Sequence, residues 1–155
     1  MFIVLLFCKI IISSNSQNAD EPSLPRLILT SVRFLPYVQD GAGLSEKMIE
    51  IIQACPTDVQ REIISSLPEI LEDQQHELIA PSLKDMLDET RTLTCTILDT
   101  LSNMSLSKAV MKELLDIVLK RLYRVALSDL PSVVDFVLCS NQPDEDILNI
   151  VQVNI

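Results

Sequence analysis

The sequence predicts an all-α protein assembled from stacked helix pairs. Three observations predict this class. Apolar residues recur at helical spacing along most of the chain, and runs that alternate with period two are missing. Hydrophobic residues make up 48% of 155, enough for one domain with a real core. The polar stretches between apolar patterns are only a few residues long, which makes consecutive helices antiparallel neighbours.

Residues 1–17 stand apart from that pattern. Met1 to Ile12, MFIVLLFCKIII, is nearly all apolar, and SSNSQNADEPS follows. This is too short and interrupted to cross a membrane as a helix. A secretory signal fits the apolar run, but no basic residue precedes it and Lys9 interrupts it. A signal peptide and a stray N-terminal extension stand level on these residues.

From Leu24 to Val38, the residues Leu27, Ile28, Val32, Leu35 and Val38 share one helical face. Gly41-Ala42-Gly43 reads as a turn, without the Lys-Ser/Thr that a phosphate loop needs. Ser45 is placed to cap the next helix, which buries Met48, Ile49, Ile51 and Ile52 and stops before Pro56.

The central stretch Thr57 to His76 carries the strongest pattern. Val59, Ile63, Ile64, Leu67, Ile70 and Leu71 form a stripe to be buried, and Asp58, Arg61, Glu62, Ser65, Glu69 and Glu72 form a solvated face. Thr57 is the expected N-cap. Pro68 is expected to kink or break the helix, since proline removes one hydrogen bond and clashes with the preceding turn. Helical patterns continue over Glu77–Asp88, Leu93–Asn103, Ser107–Leu127 and Leu130–Cys139, with a weaker one over Asp144–Val151.

A degenerate repeat accompanies them. Leu67-Pro68-Glu69-Ile70-Leu71 returns as Leu130-Pro131-Ser132-Val133-Val134, with an echo at Leu35-Pro36-Tyr37-Val38. Two helices per 31 or 32 residues read as an irregular solenoid of HEAT- or armadillo-like helix pairs, favoured over an ordinary helical bundle.

Little in the chain can carry chemistry. Cys8, Cys55, Cys95 and Cys139 lie 47, 40 and 44 residues apart, which fits no zinc site, and the last three read as small buried hydrophobes in reduced form. The single histidine, His76, sits in the polar junction QQHE and reads as a solvated loop residue. Glu72 and Asp73 are adjacent on a helix and point apart, so they are no catalytic pair. Asp144, Glu145 and Asp146 complement a helix N-terminus rather than bind calcium. Asn103-Met104-Ser105 is a glycosylation sequon, meaningful only for a secreted chain. No catalytic, cofactor or metal residue is expected.

The one candidate surface is a basic ridge, Lys108, Lys112, Lys120, Arg121 and Arg124, opposite the stripe of Met111, Leu114, Leu115, Val118, Leu122 and Val125. Asp116 stands four residues from both Lys112 and Lys120, so a salt-bridged solvent face is the plain reading. One edge of a composite DNA or acidic-partner surface is the functional one. The net charge of −10 opposes autonomous nucleic-acid binding, which depends on phosphate neutralisation by Lys and Arg.

Four segments carry a family resemblance: LPRLILTSV (24–32), KMIEIIQACPTDVQREIISSLPEILEDQQH (47–76), LTCTILDTLSNMSL (93–106) and LSDLPSVVDFVL (127–138). From about Asn18 to Ile150 the chain resembles part of the N-terminal half of the Fanconi anaemia group D2 family. The resemblance implies a long nuclear α-solenoid in DNA interstrand cross-link repair, and the want of any catalytic constellation in the chain makes the expected segment non-enzymatic. The resemblance also implies pairing with the Fanconi anaemia group I protein, closure on duplex DNA, and activation by one ubiquitin. The family's acceptor lysine falls beyond the matched region, so no functional residue transfers. The expected organisation is an extension over 1–17, a solenoid segment over 18–150 and a divergent tail over 151–155. A small secreted helical binding protein is the alternative if residues 1–17 are a genuine signal.

Overall fold

The computed structural model describes residues 24–34, 40–121 and 127–140, with the side chains at 24–26, 121 and 139 outside the described set. The N-terminal extension, Cys8, the Asp144–Val151 pattern and the 151–155 tail lie outside it. Seven α-helices are described: α1 Leu24–Arg33, α2 Gly41–Ala54, α3 Thr57–Ile70, α4 Asp73–Glu89, α5 Thr94–Ser102, α6 Lys108–Arg121 and α7 Leu130–Cys139. One 3-10 turn, Arg91–Leu93, leads into α5, and no strand occurs among the described residues.

The helices form two layers. In the first, α1 packs on α3, α3 on α5 and α5 on α7; in the second, α2 packs on α4 and α4 on α6. Odd helices stacked on odd and even on even is the arrangement of an α-solenoid. One apolar cluster runs through it, from Leu29 to Val137. The first-layer helices start at residues 24, 57, 94 and 130, intervals of 33, 37 and 36; the second-layer starts at 41, 73 and 108 give 32 and 35. The repeat is therefore longer and less regular than 31 or 32.

The Leu-Pro motif does not mark it. Pro68 lies in the last turn of α3, whereas Pro131 lies in the first turn of α7. The two motifs occupy opposite ends of their helices, and their similarity is local.

The α3 stripe is buried as expected: Ile63, Ile64 and Leu67 are fully inaccessible and Leu71 nearly so. Pro68 neither breaks nor divides α3, because the helix ends two residues later at Ile70. The chain breaks instead at Leu71, which is extended (φ −94°, ψ 142°). Glu72, also extended, caps α4, and the Gln75 side chain accepts the Glu72 N–H at 3.0 Å. Pro56, not Thr57, precedes the first turn of α3.

The α2 start also differs from expectation. Gly41-Ala42-Gly43 is its first helical turn, and Asp40 is the N-cap, accepting the Gly43 N–H at 2.8 Å. Ser45 is buried inside the helix and donates to the Gly41 carbonyl at 2.9 Å. A Cβ at Gly41 would come within 2.6 Å of the Gln75 side chain, so glycine there leaves room for the group that closes α4. In α1 the buried residue is Leu29, while Leu27 is half exposed; Leu35 and Val38 lie outside the described residues.

Candidate functional site

The basic ridge lies on α6, whose inward side buries Leu114, Leu115 and Val118 and half-buries Met111. Lys108, Lys112 and Lys120 are exposed; the Arg121 side chain and all of Arg124 lie outside the described residues. Lys112 and Lys120 are about 12 Å apart along the helix axis. The expected salt-bridged face does not form. Among the described residues, no ion pair joins Asp116 to Lys112 or Lys120. Glu113 is turned the other way and pairs with Lys84 of α4. Its hydrogen bond is the largest reason the Lys84 ammonium titrates above the ordinary lysine range. Glu113 is thus engaged in a contact between second-layer helices, while Asp116 is exposed on the same helix as the ridge lysines.

The turn that launches α6 is held by α4. His76 is not a solvated loop residue, contrary to the sequence reading: it lies in the first turn of α4 and is 2% exposed. Its Nδ1 accepts the Ser105 N–H at 2.9 Å, and its Nε2 lies 3.2 Å from the Leu71 carbonyl. An acceptor at Nδ1 and a donor at Nε2 define the Nε2–H tautomer. In that tautomer the 3.8 Å separation from Asp73 is not an ion pair. The neighbouring Glu77 accepts the Ser107 N–H at 2.9 Å. Two consecutive α4 side chains thus satisfy backbone donors ahead of the ridge helix, a role that helix N-termini require of some partner. Nothing in the QQHE context signals this, because the partners lie 29 and 30 residues downstream.

Cys55 is buried and Cys95 half-buried, and neither is in a disulfide; the Cys139 side chain lies outside the described residues. Burial is the largest cause raising the Cys95 thiol above its ordinary range; a hydrogen bond with Ser132 opposes it, and Asp129 and Asp99 add to it. Since the thiolate is the reactive form, Cys95 is expected to label more slowly than a free cysteine near neutral pH and to accelerate as pH rises. Cys55 should be slower still. Rapid labelling of both by a bulky reagent in the folded state would contradict the structure.

Among the described residues, no three His, Cys, Asp or Glu side chains are grouped to hold a metal ion, and no helix is long and apolar enough to cross a membrane. Asn103 of the sequon is exposed, with its amide donating to the Asp99 carbonyl at 2.8 Å.

Fold and surface together define a segment of an α-solenoid with exposed lysines along α6. Residues 2–152 match the family model described as "Fanconi anaemia protein FancD2 nuclease". The chain is 36% identical over 125 residues to the Fanconi anemia group D2 protein homolog of Rattus norvegicus and 34% over 125 residues to that of Mus musculus, in each case 81% of this chain and 9% of the relative. It is 36% identical over 116 residues to the Fanconi anemia group D2 protein of Gallus gallus, 75% of this chain and 8% of that protein. The chain belongs to the Fanconi anaemia group D2 family and spans about a tenth of the length of these relatives.

Proposed function

We propose that the chain is a non-enzymatic scaffold segment of a nuclear DNA interstrand cross-link repair protein of the Fanconi anaemia pathway. Its contribution in a full-length protein is contact with the Fanconi anaemia group I partner and closure on duplex DNA, with the α6 ridge as one edge of that surface. The observation that carries this reading is the family match over residues 2–152, whose described helices stack in pairs. Solenoids distribute binding over many repeats, so a segment of this length contributes a portion of a surface rather than a complete site. The word nuclease in the family description makes the non-enzymatic part of the reading testable.

The purified chain is incubated with duplex and flap DNA and with Mg²⁺ or Mn²⁺ at about 150 mM salt. Weak binding, with a dissociation constant above micromolar, and no cleavage are expected. Strong binding typically rests on roughly six to ten phosphate contacts, and the net charge of −10 opposes them. Submicromolar affinity, or cleavage that an acidic-residue substitution abolishes, would overturn the reading.

A further inference from the structure

His76 is the single histidine of the chain, and its buried Nδ1 faces two groups. The Ser105 N–H, in the turn between α5 and α6, donates to it at 2.9 Å. An Asp73 carboxylate oxygen, one turn back on α4, stands 3.8 Å away, too far for a hydrogen bond. The other ring nitrogen, Nε2, is directed at the Leu71 carbonyl.

The two groups require opposite protonation states of one atom. A neutral Nδ1 carries a lone pair and accepts from Ser105. A protonated Nδ1 carries a hydrogen, so it can donate to Asp73 and can no longer accept. The Nε2–H donates to the Leu71 carbonyl in both states and holds the ring while the other contact is exchanged. Without that exchange, two donors would face each other at 2.9 Å. A charge in so buried a site also needs a counter-charge. The Asp73 side chain is 80% exposed, so little packing opposes its turning toward the ring.

The other charged groups around the ring are placed differently. The first turn of a helix disfavours a cation, and Glu72, Asp73 and Glu77 offset that at the start of α4. Glu77 is engaged by the Ser107 N–H, and Glu69 at the end of α3 pairs with Arg33. The elements packed on α4 carry Asp40 and Glu46 at α2, Asp99 on α5 and Lys108 on α6. Among the described residues only Asp73 lies within ion-pair distance of the ring.

We propose that His76 is a proton-operated latch: neutral, it ties the α5–α6 turn to α4 through Ser105; protonated, it turns to Asp73 and releases Ser105. The Ser105 bond is present while the ring is neutral and is lost as falling pH protonates it. Glu77 keeps the Ser107 N–H in both states, so the release is confined to the turn ahead of the ridge helix. The latch rests on the fold and is independent of the repair function.

The test is an acid titration of the full chain, unchanged and as His76→Gln, followed by nuclear magnetic resonance. Ring nitrogen shifts report protonation, the Asp73 carboxyl carbon reports its new contact, and amide exchange at Ser105 and Ser107 is corrected for its intrinsic pH dependence. Ser105 exchange is expected to rise about tenfold as the ring protonates, the effect of losing one hydrogen bond. The Asp73 carbon should move over the same pH range, and Ser107 exchange should stay unchanged. In His76→Gln, Ser105 exchange should not depend on pH. A ring that protonates while Ser105 stays protected overturns the proposal, as does a ring that stays neutral until the chain unfolds. An Asp73 carbon that does not follow the ring, or a rise at Ser105 shared by every core amide, overturns it too. These outcomes are read on the unchanged chain and stand even if His76→Gln fails to fold. An equal rise at Ser105 in a folded His76→Gln assigns the effect to another group and also overturns it.

Discussion

Replacement of His76 by alanine is expected to destabilise the folded chain by about 3 kcal/mol. The ring is 2% exposed and stands between two backbone groups, the Leu71 carbonyl at the end of α3 and the Ser105 N–H ahead of α6. Alanine leaves the Leu71 carbonyl without its buried partner, and the Ser105 N–H, whose bond is only partly buried, without its acceptor. Each buried polar group left without a partner costs about 1–3 kcal/mol, and the space vacated by the ring adds a cavity term unless water enters it. Against a typical total of about 5–15 kcal/mol, that is a large share. His76→Phe keeps the volume but offers neither donor nor acceptor, so it should be about as damaging; His76→Gln offers one of each and should recover part of the loss. Denaturant titration measures the stability, and hydrogen exchange at the Ser105 amide reports the bond itself. Imidazole nitrogen shifts should show the Nε2–H tautomer. An alanine variant that loses under about 1 kcal/mol with Ser105 equally protected would refute the bridging role.

The error over His76 shows where sequence reasoning stops. Amphipathic period reports one helix against a generic core, and it worked for the longer central patterns, though in α1 it picked Leu27 where Leu29 is the buried residue. Ile63, Ile64 and Leu67 are buried as the α3 stripe requires, and α7 spans the predicted Leu130–Cys139. It failed where a residue's role depends on a distant segment. His76 and Glu77 look polar and local, yet their partners are Ser105 and Ser107. Glu113 lies on the same helix as the ridge lysines, yet its partner is Lys84 of the adjacent helix. The Leu-Pro repeat failed differently: proline is tolerated in the first turn of a helix, where no N–H is needed, and in the last turn of α3 it stands two residues from the helix end. One dipeptide thus served both ends of the solenoid's helices. Solenoid stacking leaves a pattern of helix spacing, 33, 37 and 36 residues in the first layer, that no short motif carries. The basic ridge was legible as a cluster of lysines, but the pairing of Glu113 with Lys84 became apparent only with α4 beside it.

Ile64→Ala is expected to cost about 2–5 kcal/mol, the range for truncating a large aliphatic side chain in a well-packed core. Ile64 is fully inaccessible on α3, and its carbonyl accepts a buried hydrogen bond from the Thr100 hydroxyl of α5 at 3.2 Å. The residue therefore sits at the seam between two consecutive first-layer helices, the position through which the α1–α3 end is coupled to the α5–α7 end. In a stacked architecture, stability is roughly the sum of repeat terms and nearest-neighbour interface terms. Loss of packing at this seam weakens one interface term while leaving the repeats on either side largely intact. The variant should accordingly unfold at lower denaturant and over a broader range, with amide protection falling in both α3 and α5. Leu78→Ala is the control, because Leu78 is 54% exposed on α4 and its truncation should change stability by no more than about 0.5 kcal/mol. If Ile64→Ala were no more destabilising than Leu78→Ala, or if protection fell in α3 while α5 stayed unchanged, the α3–α5 seam would not be the coupling element that the stack requires.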